Sequence, residues 1–381
     1  MRIGVDATSL IGHRTGIGNT THHYIVRLAN ERNELVPFAL TWSGRKQFAN
    51  DIAAEFSGNK NARITVPKMP MAARPLRMSW QRFQHPVIEW WTKDIDVVWG
   101  PNFVVPPTKK AAQVVTVHDL TCIHYPQMCT PDVLQVPGLL RNAIRQGAWV
   151  HTVSEFVAND VRNNFEIDPQ KVVAIPNGGP ALVADDRVAQ LAGDGRQLVG
   201  SSPYLLFVGT IEPRKDIVTL IAAFNLLAAK ESELQLVLAG PDGWGSQEVS
   251  AAINTSPFRS RIQRLGWVSD EQKDMLMAGA TAFVYPSVFE GFGLPVLEAL
   301  SLQTPVVTTR IDALLEVLGD AAIYANVGDP SSLAEAISTV LTDDVKAKDA
   351  VSKGRARLDQ FQWDESARRL EDLFQLARDA R

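Results

Sequence analysis

The chain has 381 residues, of which 42 are acidic and 38 basic, and a formal net charge of -4 at pH 7. This length exceeds one typical hydrophobic core and suits two domains, and 45% hydrophobic with 21% charged residues is typical of a folded globular protein. Because nucleic-acid binding needs a basic face to neutralise phosphates, the acidic balance argues against a general affinity for nucleic acid.

The cysteines and the N-terminal residues indicate the compartment. Cys122 and Cys129 are too few for a disulfide framework and lack companions at metal-ligand spacing, so we interpret them as small buried thiols. Residues 1–6 form a strand-like run and do not show the basic segment followed by an apolar segment that is typical of a signal peptide. No apolar stretch of the sequence is long enough to cross a bilayer. We therefore expect a cytoplasmic protein whose membrane contact, if any, is peripheral at the inner face.

Short apolar runs alternate with helical patterns along the first half of the chain. They lie at 3–7, 36–40, 64–66, 97–99, 114–117, 150–153 and 172–175. Because these runs are apolar on both faces and separated by helices, they predict a parallel sheet covered on both sides. The strands end in turn residues at 176–180, and the polar stretch from about Asp185 to Ser202 is interpreted as a linker at the domain boundary.

The pattern restarts in the second half and predicts a second doubly wound sheet. Its strands are expected at 204–208, 236–239, 262–265, 282–285, 306–308 and 323–325. Ser269 with Gln272 forms a capping box, and Asp329 before Pro330 is an N-cap followed by proline at the first helical position. Residues 363–381 are amphipathic and predicted to be helical. Open sheets of this kind bind ligands at the carboxyl ends of their strands, and a cleft between two domains would join both crevices.

Two adjacent cations follow the first strand of the second half. Gly209 lets the backbone approach a ligand closely, and Arg214 and Lys215 precede a helix that starts near Asp216. Such a pair can neutralise a diphosphate without a metal, Arg through its bidentate fork and Lys as a point charge. An isolated pair would more often be a solvated surface feature, but its position at the end of a strand favours a functional role.

A second group of residues follows the predicted strand 282–285. Gly291 and Gly293 free the backbone for close approach, and Pro295 suits the first turn of a helix whose N–H groups and dipole favour an anion. Glu298 lies one turn further on, where its carboxylate can reach a ribose hydroxyl pair, while Glu290 stays on the loop near a sugar. An exposed helix charge is the alternative for Glu298.

These two motifs, Gly209 with Arg214 and Lys215, and Glu290 with Glu298, resemble the donor site of family 4 retaining glycosyltransferases. The likeness covers nearly the whole chain and includes segments 15–18, 175–178 and 361–367. It implies an α/β protein of the GT-B fold, with two Rossmann-like doubly wound domains facing a central cleft. The expected parts are an acceptor domain at 1–180, a nucleotide-sugar donor domain at 203–361, and a C-terminal helix at 362–381 that crosses back to the N-terminal domain.

The resemblance implies roles for individual donor-site residues. Arg214 and Lys215 would bind the donor diphosphate. Glu298 would bind the ribose, and Glu290 the hydroxyls of the donor sugar. The remaining donor contacts would come from the backbone of Phe292, Gly293 and Leu294 towards sugar and phosphate, from a loop at Gly16 and Gly18 closing over the diphosphate, and from the backbone near Gly266, Trp267 and Val268 towards the base.

His118 and Asp119 end the predicted strand 114–117. A histidine at a buried strand end is more often a core residue, but the resemblance places His118 beside the donor sugar and so favours a catalytic role. Asp119 is expected on the acceptor side. Ser154, at the end of the strand 150–153, is either an acceptor-side residue or the N-cap of the next helix.

Residues 74–93 mix arginines with aromatic side chains. A basic amphipathic helix carrying Trp and Phe can lie on an anionic bilayer, and many relatives use lipid-linked acceptors. Aromatic core packing with arginine stems along it explains the composition equally well.

The expected reaction is metal-independent transfer of a hexose from a nucleoside-diphosphate sugar to a saccharide or lipid-linked saccharide, with no cofactor. Retention of configuration follows from the resemblance, and attack from the front face is favoured over a covalent intermediate. The opening with Asp6 and residues 15–18 resembles the mannosyltransferase branch and favours GDP-mannose. UDP-glucose or UDP-N-acetylglucosamine donors, a nucleotide-sugar epimerase, a sugar-phosphate-accepting synthase and a non-catalytic nucleotide-sugar-binding protein remain alternatives.

Overall fold

The computed structural model describes residues 1–12, 16–40, 45–56, 59, 63–66 and 73–381. The chain divides into two compact units, Met1–Gly178 together with Trp363–Arg381, and Gly179–Gln362. None of the helices among the described residues is long and apolar enough to cross a membrane.

The first unit is built on a seven-stranded sheet with the order β3-β2-β1-β4-β5-β6-β7. Its strands are β1 (Arg2–Asp6), β2 (Glu34–Phe38), β3 (Arg63–Ile64), β4 (Val97–Gly100), β5 (Ala112–Val117), β6 (Trp149–Thr152) and β7 (Val172–Ala174). All the described pairs are parallel. Its helices up to β7 are α1 (Gly16–Leu28), α2 (Arg45–Glu55), α3 (Ala73–Phe83), α4 (Glu89–Thr92), α5 (Thr121–His124), α6 (Val136–Arg145) and α7 (Glu155–Asn164).

The second unit is built on a six-stranded parallel sheet with the order β10-β9-β8-β11-β12-β13. Its strands are β8 (Tyr204–Val208), β9 (Gln235–Ala239), β10 (Ile262–Gly266), β11 (Ala282–Tyr285), β12 (Val306–Thr309) and β13 (Ile323–Ala325). Its helices are α8 (Asp185–Val199), α9 (Ile217–Ala228), α10 (Ser246–Thr255), α11 (Asp270–Gly279), α12 (Leu294–Ser301), α13 (Asp312–Leu318), α14 (Pro330–Thr342) and α15 (Asp344–Leu358).

The predicted strands are all present, with ends shifted by at most two residues. Apolar runs buried on both faces identify them, since the central strands of both sheets are buried along their whole length. The capping box of Ser269 and Gln272 is confirmed, and so is the N-cap of Asp329, whose side chain accepts from Ser331 and Ser332. Two doubly wound parallel sheets are therefore confirmed as the fold class.

The predicted linker is wrong. Most of the stretch from Asp185 to Ser202 forms helix α8, which belongs to the second unit, and the units divide at Gly178 and Gly179. The glycines of α8 led to the linker interpretation, but a Cβ on Gly195 would lie 1.9 Å from the carbonyl oxygen of Met275. Gly195 is therefore a point where α8 packs closely on α11, and not a break in the chain.

The terminal helix α16 (Trp363–Asp379) packs on the first unit, as predicted. Its buried face includes Leu373 and Phe374, and the Ser366 hydroxyl donates to the carbonyl of Pro176 at 2.7 Å. A Cβ on Gly178 would lie 2.3 Å from Cγ of Trp363, so the chain passes directly against the start of this helix.

Candidate active site

In the sheet of the second unit, the order in which the chain adds strands reverses between two neighbouring strands. β8 lies beside β11, and the chain runs outwards from this pair to β10 on one side and to β13 on the other. In open parallel sheets the crevice beyond the carboxyl ends of such strands is where ligands bind. The loops that leave β8 and β11 carry Arg214 with Lys215, and Glu290, so the predicted cations and the predicted acid lie at the same switch point.

The loop after β8 is fixed by local hydrogen bonds. Residues 213–215 form one turn of 3-10 helix, and Asp216, with a φ of 47°, caps α9 by accepting from the Thr219 N–H at 3.4 Å. The N–H of Val288 donates to the carbonyl of Arg214 at 2.9 Å, which joins this loop to the one after β11. The backbone that carries the two adjacent cations is therefore fixed by hydrogen bonds within the second unit.

Glu290 lies between the two cations. Its Oε1 is 2.5 Å from Nζ of Lys215, and its Oε2 is 2.7 Å from Nη1 of Arg214. Arg214 also pairs with Glu212 at 2.8 Å, and Lys215 donates to the hydroxyl of Tyr285. Lys215 and Glu290 are both buried. Glu212 and Tyr285 are members of this cluster that sequence reasoning missed, although both lie within the motifs considered.

The cluster sets the protonation of its members. Burial raises the pKa of Glu290, but the charges of Arg214 and Lys215 outweigh it and bring this pKa to about 2. Burial, followed by the charge of Arg214, lowers the pKa of Lys215, while Glu290 opposes this change. Burial and the neighbouring Glu290 raise the pKa of Tyr285, so its hydroxyl stays protonated. Glu290 is thus an ionised acceptor at neutral pH.

Glu298 belongs to a second ion pair. It lies in α12, which begins at Leu294 after Gly293, whose φ is 93°, and has Pro295 in its first turn. The Oε1 of Glu298 is 2.7 Å from Nζ of Lys273 in α11. Sequence reasoning missed Lys273 because nothing in the spacing of the two helices shows that they are neighbours.

The backbone before α12 is shaped by packing. Phe292 is buried against Phe361, with ring centroids 5.5 Å apart at an angle of 83°. A Cβ on Gly293 would lie 2.6 Å from Cδ2 of Leu314, so both the positive φ and the available space require glycine. Val268, the predicted base-side residue, is half-buried between the turn at Gly266 and the start of α11.

His118 follows β5 in the first unit and is oriented by a carbonyl. Its Nε2 is 2.7 Å from the carbonyl oxygen of Pro101, which follows β4. Since a carbonyl only accepts, Nε2 carries the hydrogen, and Nδ1 of the neutral ring is an acceptor. Burial lowers the pKa of His118, although the Pro101 carbonyl and the nearby Asp119 oppose it. Pro101 is a further residue that sequence reasoning missed.

The other predicted residues of the first unit have local structural partners. The Oδ1 of Asp119 accepts from the N–H and the hydroxyl of Thr121 at 2.9 and 2.6 Å. Ser154 is buried and accepts from the Val157 N–H at 3.2 Å, so it is the N-cap of α7, one of the two predicted interpretations.

The predicted glycine loop is corrected. Gly16 is the first residue of α1 and Gly18 is buried in its first turn, so these two glycines are helical and not loop residues. Thr15, in the same motif, lies outside the described residues. A helix can begin at Gly16 because the pattern of apolar and polar residues that follows outweighs the low helical propensity of two glycines.

Comparison with known proteins shows the family of the chain. Residues 14–179 match the model of Glycosyltransferase Family 4, and residues 195–357 match that of Glycosyl transferases group 1. O-antigen chain mannosyltransferase B of Escherichia coli is 32% identical over 306 residues, which are 76% of this chain and 78% of that protein. O-antigen chain mannosyltransferase RfbU of Salmonella typhimurium is 27% identical over 66% of each chain.

A solved structure shows the same fold. Alr3699/HepE of Anabaena, in complex with UDP and glucose, superposes with a TM-score of 0.72 at 17% identity, covering 97% of this chain and 98% of that one. Two Rossmann-like domains, each built on a doubly wound parallel sheet, are the GT-B fold of glycosyltransferases. The chain belongs to glycosyltransferase family 4 and is a glycosyltransferase enzyme. The resemblance found in the sequence is confirmed.

Proposed function

We propose that this enzyme transfers mannose, with retention of configuration, from GDP-mannose to a saccharide or lipid-linked saccharide acceptor during O-antigen-type polysaccharide synthesis. The observation that carries the proposal is the cluster of Arg214 with the buried Lys215 and Glu290 at the β8–β11 switch point. The choice of mannose rests on the O-antigen mannosyltransferases to which the chain is similar.

Arg214 and Lys215 act on the leaving diphosphate. As the bond between the sugar and the diphosphate breaks, negative charge accumulates on the diphosphate, and fixed cations placed there stabilise the transition state. The loop after β8 is held by Asp216 and by the Val288 N–H, so its backbone keeps both cationic side chains at the switch point. We expect them to make a divalent metal unnecessary.

Glu290 binds the hydroxyls of the donor sugar. With a pKa of about 2 it remains ionised, and a carboxylate can accept two hydroxyl hydrogen bonds. A carboxylate held by two cations is a weak nucleophile, which favours attack by the acceptor from the face that the diphosphate leaves over a covalent intermediate. The backbone N–H groups of Phe292, Gly293 and Leu294 complete the donor contacts, with Glu298 on the ribose.

His118 acts on the donor sugar as a neutral acceptor. Its hydrogen is committed to the Pro101 carbonyl, which leaves Nδ1 to accept from a sugar hydroxyl. Under this proposal the first unit binds the acceptor and the second binds the nucleotide sugar, with the base recognised by the backbone near Val268.

The first unit also carries a surface suited to peripheral contact with an anionic membrane. Met78, Phe83 and Trp90, in or next to α3 and α4, are 67%, 64% and 71% exposed, whereas Trp80 in the same stretch is buried in the core. The guanidinium carbon of exposed Arg82 lies 5.7 Å from the centroid of the Phe83 ring, so a cationic and an apolar side chain are adjacent here. A lipid-linked acceptor and a location at the inner membrane face are consistent with it.

Co-sedimentation with vesicles tests the membrane part. Wild type should bind vesicles containing phosphatidylglycerol in preference to vesicles of phosphatidylcholine alone, and combined replacement of Met78, Phe83 and Trp90 by serine should remove the preference. Leu198→Ser, at an exposed leucine of the second unit, is the control. Equal binding by the triple variant would assign the three side chains no membrane role.

Donor identity is tested by incubating the enzyme with GDP-mannose, UDP-glucose or UDP-N-acetylglucosamine and a lipid-linked saccharide, followed by mass spectrometry of the products. The proposal predicts addition of one hexose from GDP-mannose and release of GDP. Transfer from a UDP-sugar alone would replace the donor assignment. Epimerised sugar nucleotide without transfer would indicate the epimerase alternative, and binding of nucleotide sugar without turnover would indicate a non-catalytic protein.

A further inference from the structure

The ion pair between Lys273 and Glu298 connects two helices that follow different strands. Lys273 lies in the first two turns of α11, whose start is fixed by the capping box of Ser269 and Gln272, and its backbone N–H donates to the Ser269 carbonyl at 2.8 Å. The side chains of Lys273 and Glu298 are only 18% and 27% exposed. An ion pair with so little exposure is screened much less than one on the surface.

Lys273 also opposes the negative charges around Glu298. Asp270 and Asp274, on the same helix as Lys273, both face this group, and Asp270 lies 3.9 Å from Nζ of Lys273. Burial raises the pKa of Glu298 above its ordinary value, and the two aspartates add to the rise, whereas the charge and hydrogen bond of Lys273 limit it. Without Lys273, a half-buried carboxylate would remain beside two other acids.

We propose that Lys273 is a positioning residue that holds the Glu298 carboxylate ionised and correctly oriented for the ribose hydroxyls of the donor nucleotide. This inference rests on the proposed role of Glu298 in the donor site. Lys273 contacts Oε1, so Oε2 and the second lone pair of Oε1 would accept from the ribose. An ionised carboxylate accepts two hydroxyl hydrogen bonds, whereas a protonated one donates a hydrogen and gives up acceptor capacity.

A purely structural ion pair would hold α11 against α12 without affecting which nucleotide is preferred. The difference in affinity between a ribonucleotide and its 2′-deoxy form therefore separates the two roles. We would measure dissociation constants of GDP and 2′-deoxy-GDP by calorimetry on the full chain, using UDP and 2′-deoxy-UDP if UDP binds more tightly. A hydrogen bond to a charged group predicts a preference of about tenfold for the ribonucleotide in wild type.

Glu298→Gln should remove most of this preference. Lys273→Met should remove it to the same extent, and the double variant should lose no more than either single one, because both act through one carboxylate. Lys273→Arg should retain the preference. In Lys273→Met the preference should return as pH rises, since Glu298 is then ionised, and disappear as pH falls. Lys230→Met, at an exposed lysine of the same unit, is the matched control.

Lys273→Met could prefer the ribonucleotide as strongly as wild type does, while Glu298→Gln loses this preference. That result would overturn the positioning role of Lys273 and leave the proposed donor site intact. An additive loss in the double variant would also overturn it. If Glu298→Gln keeps the preference, Glu298 does not bind the ribose, and the proposed function fails at that residue as well.

Discussion

The Oε1 of Glu290 lies 2.5 Å from Nζ of Lys215, in a buried contact between the loop after β11 and the loop after β8. The carboxylate that would bind the donor sugar therefore neutralises a cation that would bind the donor diphosphate. With Arg214 on the other carboxylate oxygen, and with Glu212 also paired to Arg214, two carboxylates balance the two cations of the cluster. A donor diphosphate bound by these cations would have to compete with Glu290 for both of them.

Glu290→Gln is expected to change binding and turnover in opposite directions. Removing the competing charge should raise the affinity for a nucleoside diphosphate by about tenfold, on the order of 1.4 kcal/mol. Turnover should fall because the sugar loses an ionised acceptor in the transition state. Calorimetry with the diphosphate and initial rates with the sugar donor measure the two effects. Glu231→Gln, at an exposed glutamate of the same unit, is the control. Weaker diphosphate binding by Glu290→Gln would contradict competition between Glu290 and the diphosphate.

His118→Ala should lower turnover by about ten- to a hundredfold while leaving nucleotide affinity nearly unchanged. The reason is that His118 would contact the sugar and not the nucleotide, and an interaction that strengthens in the transition state affects the turnover number. Steady-state kinetics with a titration of the nucleoside diphosphate separate the two quantities. Normal turnover would return His118 to the role of a core residue bonded to Pro101.

His151 should make the first unit sensitive to acid. It is fully buried between Thr116 and the carbonyl of Ile175, and burial is the main cause that lowers its pKa from 6.5 to about 3. Because the unfolded chain binds a proton below pH 6.5 and the folded chain does not, its contribution to stability is lost as pH falls. The expected loss is about 1.4 kcal/mol per pH unit between those values.

Urea unfolding of wild type and His151→Gln at a series of pH values measures this contribution. The variant should be less stable at pH 7, but its free energy of unfolding should fall less steeply from pH 6 to pH 4. Parallel curves for the two proteins would show that His151 is protonated equally in the folded and unfolded states.

Two glycines of α8 should respond oppositely to alanine. Gly195→Ala places a methyl group 1.9 Å from the Met275 carbonyl oxygen and should destabilise the second unit by about 1–3 kcal/mol. Gly193 lies on the same helix, and a Cβ there would have no neighbour within 4 Å among the described residues, apart from the backbone of the helix itself. Gly193→Ala should therefore stabilise the second unit by about 0.5–1 kcal/mol. Thermal unfolding of both variants tests this, and similar effects at the two sites would contradict the close packing of α8 on α11.

Local patterns were enough to predict the sheets and the caps, but not contacts between distant segments. The strand at 282–285 is recognisable because both of its faces are buried, and the Ser269 capping box depends on residues three positions apart. The helix α8 was missed because Gly193 and Gly195 have low helical propensity, and what makes Gly195 suitable is the Met275 carbonyl, far away in sequence.

The candidate site shows the same limit. Arg214, Lys215 and Glu290 were predicted from their positions after strands, which the chain order of a parallel sheet brings to one edge. Their pairing, the Lys273 contact to Glu298 and the Pro101 contact to His118 depend on side-chain directions that sequence spacing does not contain.

The central claim is that Arg214 and Lys215 stabilise the departing diphosphate in place of a metal. The most direct measurement is the initial rate of hexose transfer in excess EDTA. Wild type and Lys215→Ala are compared at the same donor and acceptor concentrations. Wild type should remain active, and Lys215→Ala should be slower by about a hundred- to a thousandfold, as is typical when one group stabilising a developing oxyanion is removed. Wild-type activity that vanishes in EDTA and returns with magnesium, or near-normal transfer by Lys215→Ala, would contradict the claim.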